Sequence, residues 1–130
     1  MLSHCFVGVN DFEAALRFYS AIHGALGHSL RFCDRDRPWA GWQQPGVARP
    51  LFLIGAPENG KPAAPGNGQM VALLCQSRDL VRRVYAAGLA TGGSDAGPPG
   101  LRPRYHADYY GAYLRDPEGN KMALACHGPE

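Results

Sequence analysis

Side chains able to hold or act on a small molecule lie near both ends of this 130-residue chain. His4 stands close to the N-terminus. His106, Tyr109, Tyr113, Arg115 and Lys121 stand toward the C-terminus, with Arg102 and Arg104 just before them. A neutral imidazole donates and accepts hydrogen bonds and titrates near neutral pH, so His4 suits a ligand's polar group and also general-base work. A phenol can donate to a reacting oxygen, which leaves a metal-free pairing of His4 as base with Tyr113 as acid open. Arg102, Arg104, Arg115 and Lys121 can grip a carboxylate or a glutathione-like anion, or stand as a solvated rim. Other chemistry finds no support. Asp108 and Glu118 have no carboxylate partner, and no Ser/His/Asp set is spaced for a triad. The glycines of 92–100 run into Pro98 and Pro99 and open no helix, so they make no phosphate cradle. Cys5, Cys33, Cys75 and Cys126 form no CxxC pair and read as reduced, buried thiols.

These residues need a scaffold, and its clearest part is residues 109–126. Two β-prone runs, 109–115 and 121–126, flank Asp116-Pro117-Glu118-Gly119-Asn120, the pattern of a hairpin. Alternation puts Tyr110, Ala112, Leu114, Met122, Leu124 and Cys126 on one apolar face suited to a helix. Tyr109, Gly111, Tyr113, Arg115, Lys121, Ala123 and Ala125 share the other face. Small residues between large polar ones there leave room for a ligand.

Earlier in the chain, residues 3–9 alternate as a strand with His4 and Phe6 on one face and Cys5, Val7 and Val9 on the other. Asn10 or Asp11 caps a helix in which Phe12, Ala15, Leu16, Tyr19 and Ile22 recur at helical spacing, with Gly24 and Gly27 as candidate stops. Short strands are expected near 28–33, 39–43 and 51–56. Trp39 and Trp42 fall on opposite faces of theirs; one must turn to the pocket, and Trp42 is assigned to it. Residues 57–68 hold three prolines and three glycines and read as a linker. The pattern then restarts: a strand over 70–75, Ser77 as a cap, a helix ending at Gly88, a short strand near 90–94, a Gly/Pro-rich loop over 95–104, and the hairpin. A shift of 66 residues lays Cys5, Val7 and Val9 on Val71, Leu73 and Cys75, and Phe18-Tyr19 on Val84-Tyr85. Two β-α-β-β-β modules, 1–56 and 69–128, make one domain of α+β class.

The opening Ser3-His4-Cys5-Phe6-Val7-Gly8-Val9-Asn10-Asp11, the Phe18-Tyr19 pair and the Asp116–Asn120 turn before a final short strand resemble the vicinal oxygen chelate superfamily. That group holds the glyoxalases, ring-cleaving extradiol dioxygenases and bleomycin-binding proteins. The resemblance spans nearly the whole chain and implies two tandem modules curling their sheets into an incomplete barrel around a ligand. It also implies a homodimer with sites near or across its interface.

Many members of that group hold a divalent metal through a His on strand one, a His on strand five and a Glu on the last strand. Only His4 matches. The 66-residue shift carries His4 to Met70, and the last-strand position falls on Ala123. One imidazole and a thioether do not suit a hard divalent ion. The expectation is therefore no cofactor and no metal, and a small-molecule binder of the bleomycin-sequestering kind. Its pocket would contain Phe6, Met70, Tyr109, Ala123, His106, Trp42 and Arg115 beside His4 and Tyr113. The alternatives are a metal-dependent lyase of the lactoylglutathione lyase type or a dioxygenase, with a site rebuilt through His106, and the metal-free His4/Tyr113 enzyme. Tyr113, ten residues before Ala123, resembles the substrate-binding tyrosine of the dioxygenases. A formal charge of +2 without a Lys/Arg run argues against a nucleic-acid partner. No apolar span nears twenty residues, which argues against a membrane. Residues 3–9 read as strand rather than signal peptide, so a cytoplasmic location is expected.

Overall fold

The computed structural model describes residues 1–130. The chain runs β1 (His4–Gly8), α1 (Phe12–Leu26), β2 (Ser29–Asp34), β3 (Trp39–Gln43), β4 (Leu51–Gly55), β5 (Val71–Leu74), α2 (Arg78–Ala90), β6 (Ser94–Leu101), β7 (Tyr110–Arg115) and β8 (Lys121–Cys126). It is the expected α+β chain of two β-α-β-β-β modules. Each module makes a four-stranded mixed sheet, in the order β1-β4-β3-β2 and β5-β8-β7-β6. The first and last strands of a module pair in parallel and the rest antiparallel.

Local chemistry sets the ends of the helices. Asp11 accepts a hydrogen bond from the Ala14 amide (3.0 Å) at the start of α1. Gly27 closes the helix in the left-handed region that a side chain would disfavour. Ser77 accepts from the Leu80 amide (3.0 Å) at the start of α2.

The helices do more than cover their own sheets. Gly88 of α2 lies where a Cβ would meet Ile22 and Phe18 of α1 as well as Leu114 of β7, so α1 and α2 are in close contact. Phe18, Tyr19 and Ile22 join Ile54, Val81, Val84, Leu114, Met122 and Leu124 in one continuous buried core. The helix-covered faces of both sheets therefore share a single interior, and their other faces turn away from it. No closed barrel forms within one chain.

One expectation fails. Residues 95–104 were expected as a loop after a short strand near 90–94, but α2 continues to Ala90 and β6 runs through Gly97, Pro98, Pro99 and Gly100. β6 is an edge strand with β7 as its one neighbour, where a missing proline amide costs no ladder bond. Its register against β7 slips twice, between Asp95 and Gly97 and between Gly97 and Gly100.

The Asp116–Asn120 turn proves to be the staple between modules. Asp116, 3% exposed, accepts from the amides of Glu118 and Asn120 (both 2.9 Å), from Asn120 Nδ2 (2.9 Å) and from the Tyr19 hydroxyl (2.8 Å). Burial, and then the Asp116 carboxylate, push the Tyr19 phenol far above its ordinary pKa. Glu118 accepts from the amides of Asn10 and Asp11 (both 2.7 Å), a carboxylate at the N-terminus of α1 where the helix dipole favours it. Asn120 reaches the Gly8 carbonyl (3.3 Å). Asn10 in turn exchanges two hydrogen bonds with the Ala63 backbone (3.0 and 2.7 Å), which pins the linker.

Candidate functional site: two uncovered sheet faces

Each sheet leaves one face free of helix, and the two faces differ in chemistry. On the N-terminal sheet, alternation along β1 turns His4 and Phe6 outward, and β3 adds Trp39. Together with Leu53, Arg37 and Glu58 they line a cleft of about 700 Å³. Gly41 and Gly55 lie beneath these side chains. A Cβ on Gly41 would strike Leu53 and Phe32, and one on Gly55 would approach Trp39 and Phe6 within 2.9 and 3.2 Å. The aromatic rings thus lie directly on the backbone, Phe32 against Trp39 at 4.5 Å, with the Arg37 guanidinium 3.9 Å above the Trp39 ring. His4 is exposed, its Nδ1 3.0 Å from the Ser3 hydroxyl.

On the C-terminal sheet, Met70, Arg102, Arg104, Tyr105, Tyr113 and Lys121 line a smaller cleft of about 220 Å³. The floor expected at Gly111 is not open. A Cβ there would meet the Tyr109 ring at 2.7 Å, so Tyr109 roofs it. Tyr109 and Tyr113 share a hydrogen bond between hydroxyls (3.2 Å). Burial, and then the bond to Tyr109, raise the Tyr113 phenol's pKa. The Arg104 guanidinium lowers that of Tyr105.

His106 takes a separate place. Its Nδ1 accepts from the Asp108 amide (3.1 Å), so the proton of the neutral ring sits on Nε2, which donates to His127 Nδ1 (2.8 Å). The two imidazoles stack at the edge of the Tyr109 ring and fix the 102–109 loop. Arg115 donates to the Gly119 carbonyl (2.9 Å) and stands beside Met70 and Lys121 in an adjoining groove. Ala123 is fully buried beneath the C-terminal face, paired with Tyr113.

Trp42 lines neither of these clefts but a third, of about 440 Å³, with Phe52, Val71, Leu73 and Leu80. It lies on the helix side, 3% exposed and stacked on His23 at 4.8 Å and 11°. The tryptophan on the uncovered face is Trp39. Gly41, two residues after Trp39, shares that face of β3. Arg37, Leu53 and Tyr105 were also passed over, because turns and loops deliver two of them and Leu53 sits in an unbroken apolar run.

Within one chain His4 and Tyr113 line separate clefts, so no single chain assembles them as base and acid. The donor set at the positions suited to a metal is equally plain. His4 is followed by a thioether at Met70 and a methyl at Ala123, and β4 offers Leu51 and Leu53. No three His, Cys, Asp or Glu side chains converge in the chain. These residues do not fit a hard divalent ion.

A model of the Glyoxalase/Bleomycin resistance protein/Dioxygenase superfamily matches residues 1–124. The chain belongs to that superfamily. Its fold is similar to the crystal structure of a glyoxalase/bleomycin resistance protein from Albidiferax ferrireducens, at 38% identity over 97% of this chain and 98% of that one, with a TM-score of 0.86. It is also similar in fold to a glyoxalase-related enzyme from Fulvimarina pelagi (22% identity, 97% and 87% covered, TM-score 0.73). A third similar structure is an antibiotic-binding protein from a Streptomyces species (19% identity, 98% and 96% covered, TM-score 0.65). No curated protein matches the sequence. Superfamily membership accounts for the repeated module.

Proposed function

We propose that this superfamily member binds a small organic molecule without a metal, in a cavity shared between two copies of the chain. The N-terminal uncovered face of one copy closes over the C-terminal uncovered face of the other. The observation that carries this reading is the separation of the two clefts, each built from one module alone and each open to solvent. Neither encloses a ligand as a binding cavity should. Phe6 and Met70 stand 48% and 45% exposed in them. β1 and β5 each have a neighbour on one side only, and such free edges are normally covered. A two-fold pairing covers both edges and makes two equal cavities. An aromatic wall of Phe6 and Trp39 facing Met70 and Tyr113 suits a flat or apolar ligand. Four free thiols suit the reducing cytoplasm.

The test uses the fluorescence of N-phenyl-1-naphthylamine, an uncharged aromatic probe. The expected result is saturable binding that survives EDTA, with a dimer mass by sedimentation. A stoichiometric divalent ion whose removal abolishes binding would overturn the metal-free reading. A monomer that binds equally well would overturn the shared cavity.

A further inference from the structure

The C-terminal face carries charge that nothing in the chain neutralises. Ion pairs in this protein engage Arg35, Arg78, Arg82 and Arg83, all away from this face. Arg102, Arg104, Arg115 and Lys121 engage no carboxylate. Lys121 lines both the Tyr113 cleft and the groove beside it, and no acidic residue lines either. Of the nearby acids, Asp95 accepts from the Tyr85 hydroxyl and the Gly97 amide, Glu118 accepts from the start of α1, and Asp108 lines neither cleft and pairs with none of these cations. The N-terminal face differs, since its cleft sets one cation, Arg37, against one anion, Glu58.

The cations are also positioned. The Arg102 guanidinium donates to the Pro98 carbonyl (2.7 Å) and lies 5.5 Å from the centre of the Tyr113 ring. Lys121 Nζ lies 5.4 Å from the same ring. Arg104 donates to the Tyr105 hydroxyl (3.3 Å). The phenol of Tyr105 titrates low beside Arg104, as a positive local field requires. Arginines held in place by backbone and ring contacts lose less freedom on gripping an anion than free ones.

We propose that the ligand of this site is a flat apolar molecule bearing an anionic group, a carboxylate, sulfonate or phosphate, gripped by Arg102, Arg104 and Lys121 at the edge of the Tyr113 ring. The inference rests on the shared-cavity reading and adds the charge of the ligand to it. The aromatic body lies toward Phe6 and Trp39, and the anion faces the basic rim.

Two probes of nearly one shape separate the claims: 1-anilinonaphthalene-8-sulfonate, and N-phenyl-1-naphthylamine, which lacks the sulfonate. The sulfonate is expected to bind at least roughly tenfold more tightly at low salt, a preference that shrinks as salt rises. Arg102→Gln, Arg104→Gln and Lys121→Gln together are expected to abolish the preference. Arg104→Lys, which keeps the charge, and Arg17→Gln, on the exposed side of α1, are expected to preserve it. Thermal melts of each variant report folding. Equal affinity for the two probes, or a preference that persists in the triple variant, would overturn this inference and leave the shared cavity standing. Failure of both probes to bind would overturn both.

Discussion

The two modules share a topology and almost nothing of their outer surfaces. Both present β-branched, leucine and aromatic side chains to the helices, and those faces merge into one core. Outside, the N-terminal sheet is aromatic and nearly neutral, with His4, Phe6 and Trp39, while the C-terminal sheet is phenolic and basic. The comparison separates what folds the chain from what the chain recognises. The helix-facing pattern is repeated because both halves must bury the same kind of surface. The outward pattern is free to diverge because the two faces are proposed to grip different ends of one ligand.

Tryptophan substitutions break that comparison most sharply. Trp42→Ala, on the helix side, is expected to cost about 3–5 kcal/mol in urea unfolding, as for other buried aromatics. Because the core is continuous, both modules should unfold in one transition; separate transitions for the halves would contradict the shared interior. Asp116→Ala removes the acceptor for the Tyr19 hydroxyl and three N–H donors and should cost about 3 kcal/mol, measured the same way.

The pH dependence of stability probes the helix side alone. His23 is 1% exposed, its Nδ1 faces His28 Nδ1 at 2.9 Å, and its Nε2 has no partner. Burial, helped by His28, lowers its pKa from 6.5 to about 3. Between those values the unfolded chain binds a proton that the folded chain refuses. Stability is therefore full above pH 6.5 and falls as pH drops toward 3, by about 1.4 kcal/mol per pH unit at the steepest. His23→Phe keeps a ring against Trp42 and should flatten that slope in thermal melts from pH 7 to pH 4. An unchanged slope would place the titrating group elsewhere. Trp39→Ala carries the smallest expected change in stability, about 1 kcal/mol or less, but should weaken binding of N-phenyl-1-naphthylamine about tenfold. An effect on stability as large as that of Trp42→Ala would erase the distinction between the faces.

Much of the fold was legible because burial leaves a periodic trace. The faces of the final hairpin, the Asp11 and Ser77 caps and the module repeat follow from alternation, helical spacing and cap chemistry. β6 was not legible, since Gly97, Pro98, Pro99 and Gly100 are loop formers unless an edge position spares the prolines their missing amides. The site was legible in part. His4, Phe6, Met70 and Tyr113 stand on uncovered faces as read. Trp42 lines a different cleft from Trp39, because two tryptophans three apart face opposite ways and periodicity alone does not say which side meets the helices. That Tyr109 fills the space over Gly111 depends on where the 102–109 loop folds back, and the His106–His127 pair that fixes it joins residues 21 apart in sequence.

Subunit mixing tests the central claim most directly. Phe6→Glu places a charge on the N-terminal face and Met70→Glu on the C-terminal face, both at positions exposed enough to leave the chain folded. Each variant alone should fail to bind N-phenyl-1-naphthylamine. In a mixed dimer, one cavity carries both charges and the other carries neither. An equimolar mixture after subunit exchange should therefore regain about a quarter of the wild-type sites. Mixed dimers, verified by native mass spectrometry, that bind no probe would contradict a cavity built from opposite faces of two copies.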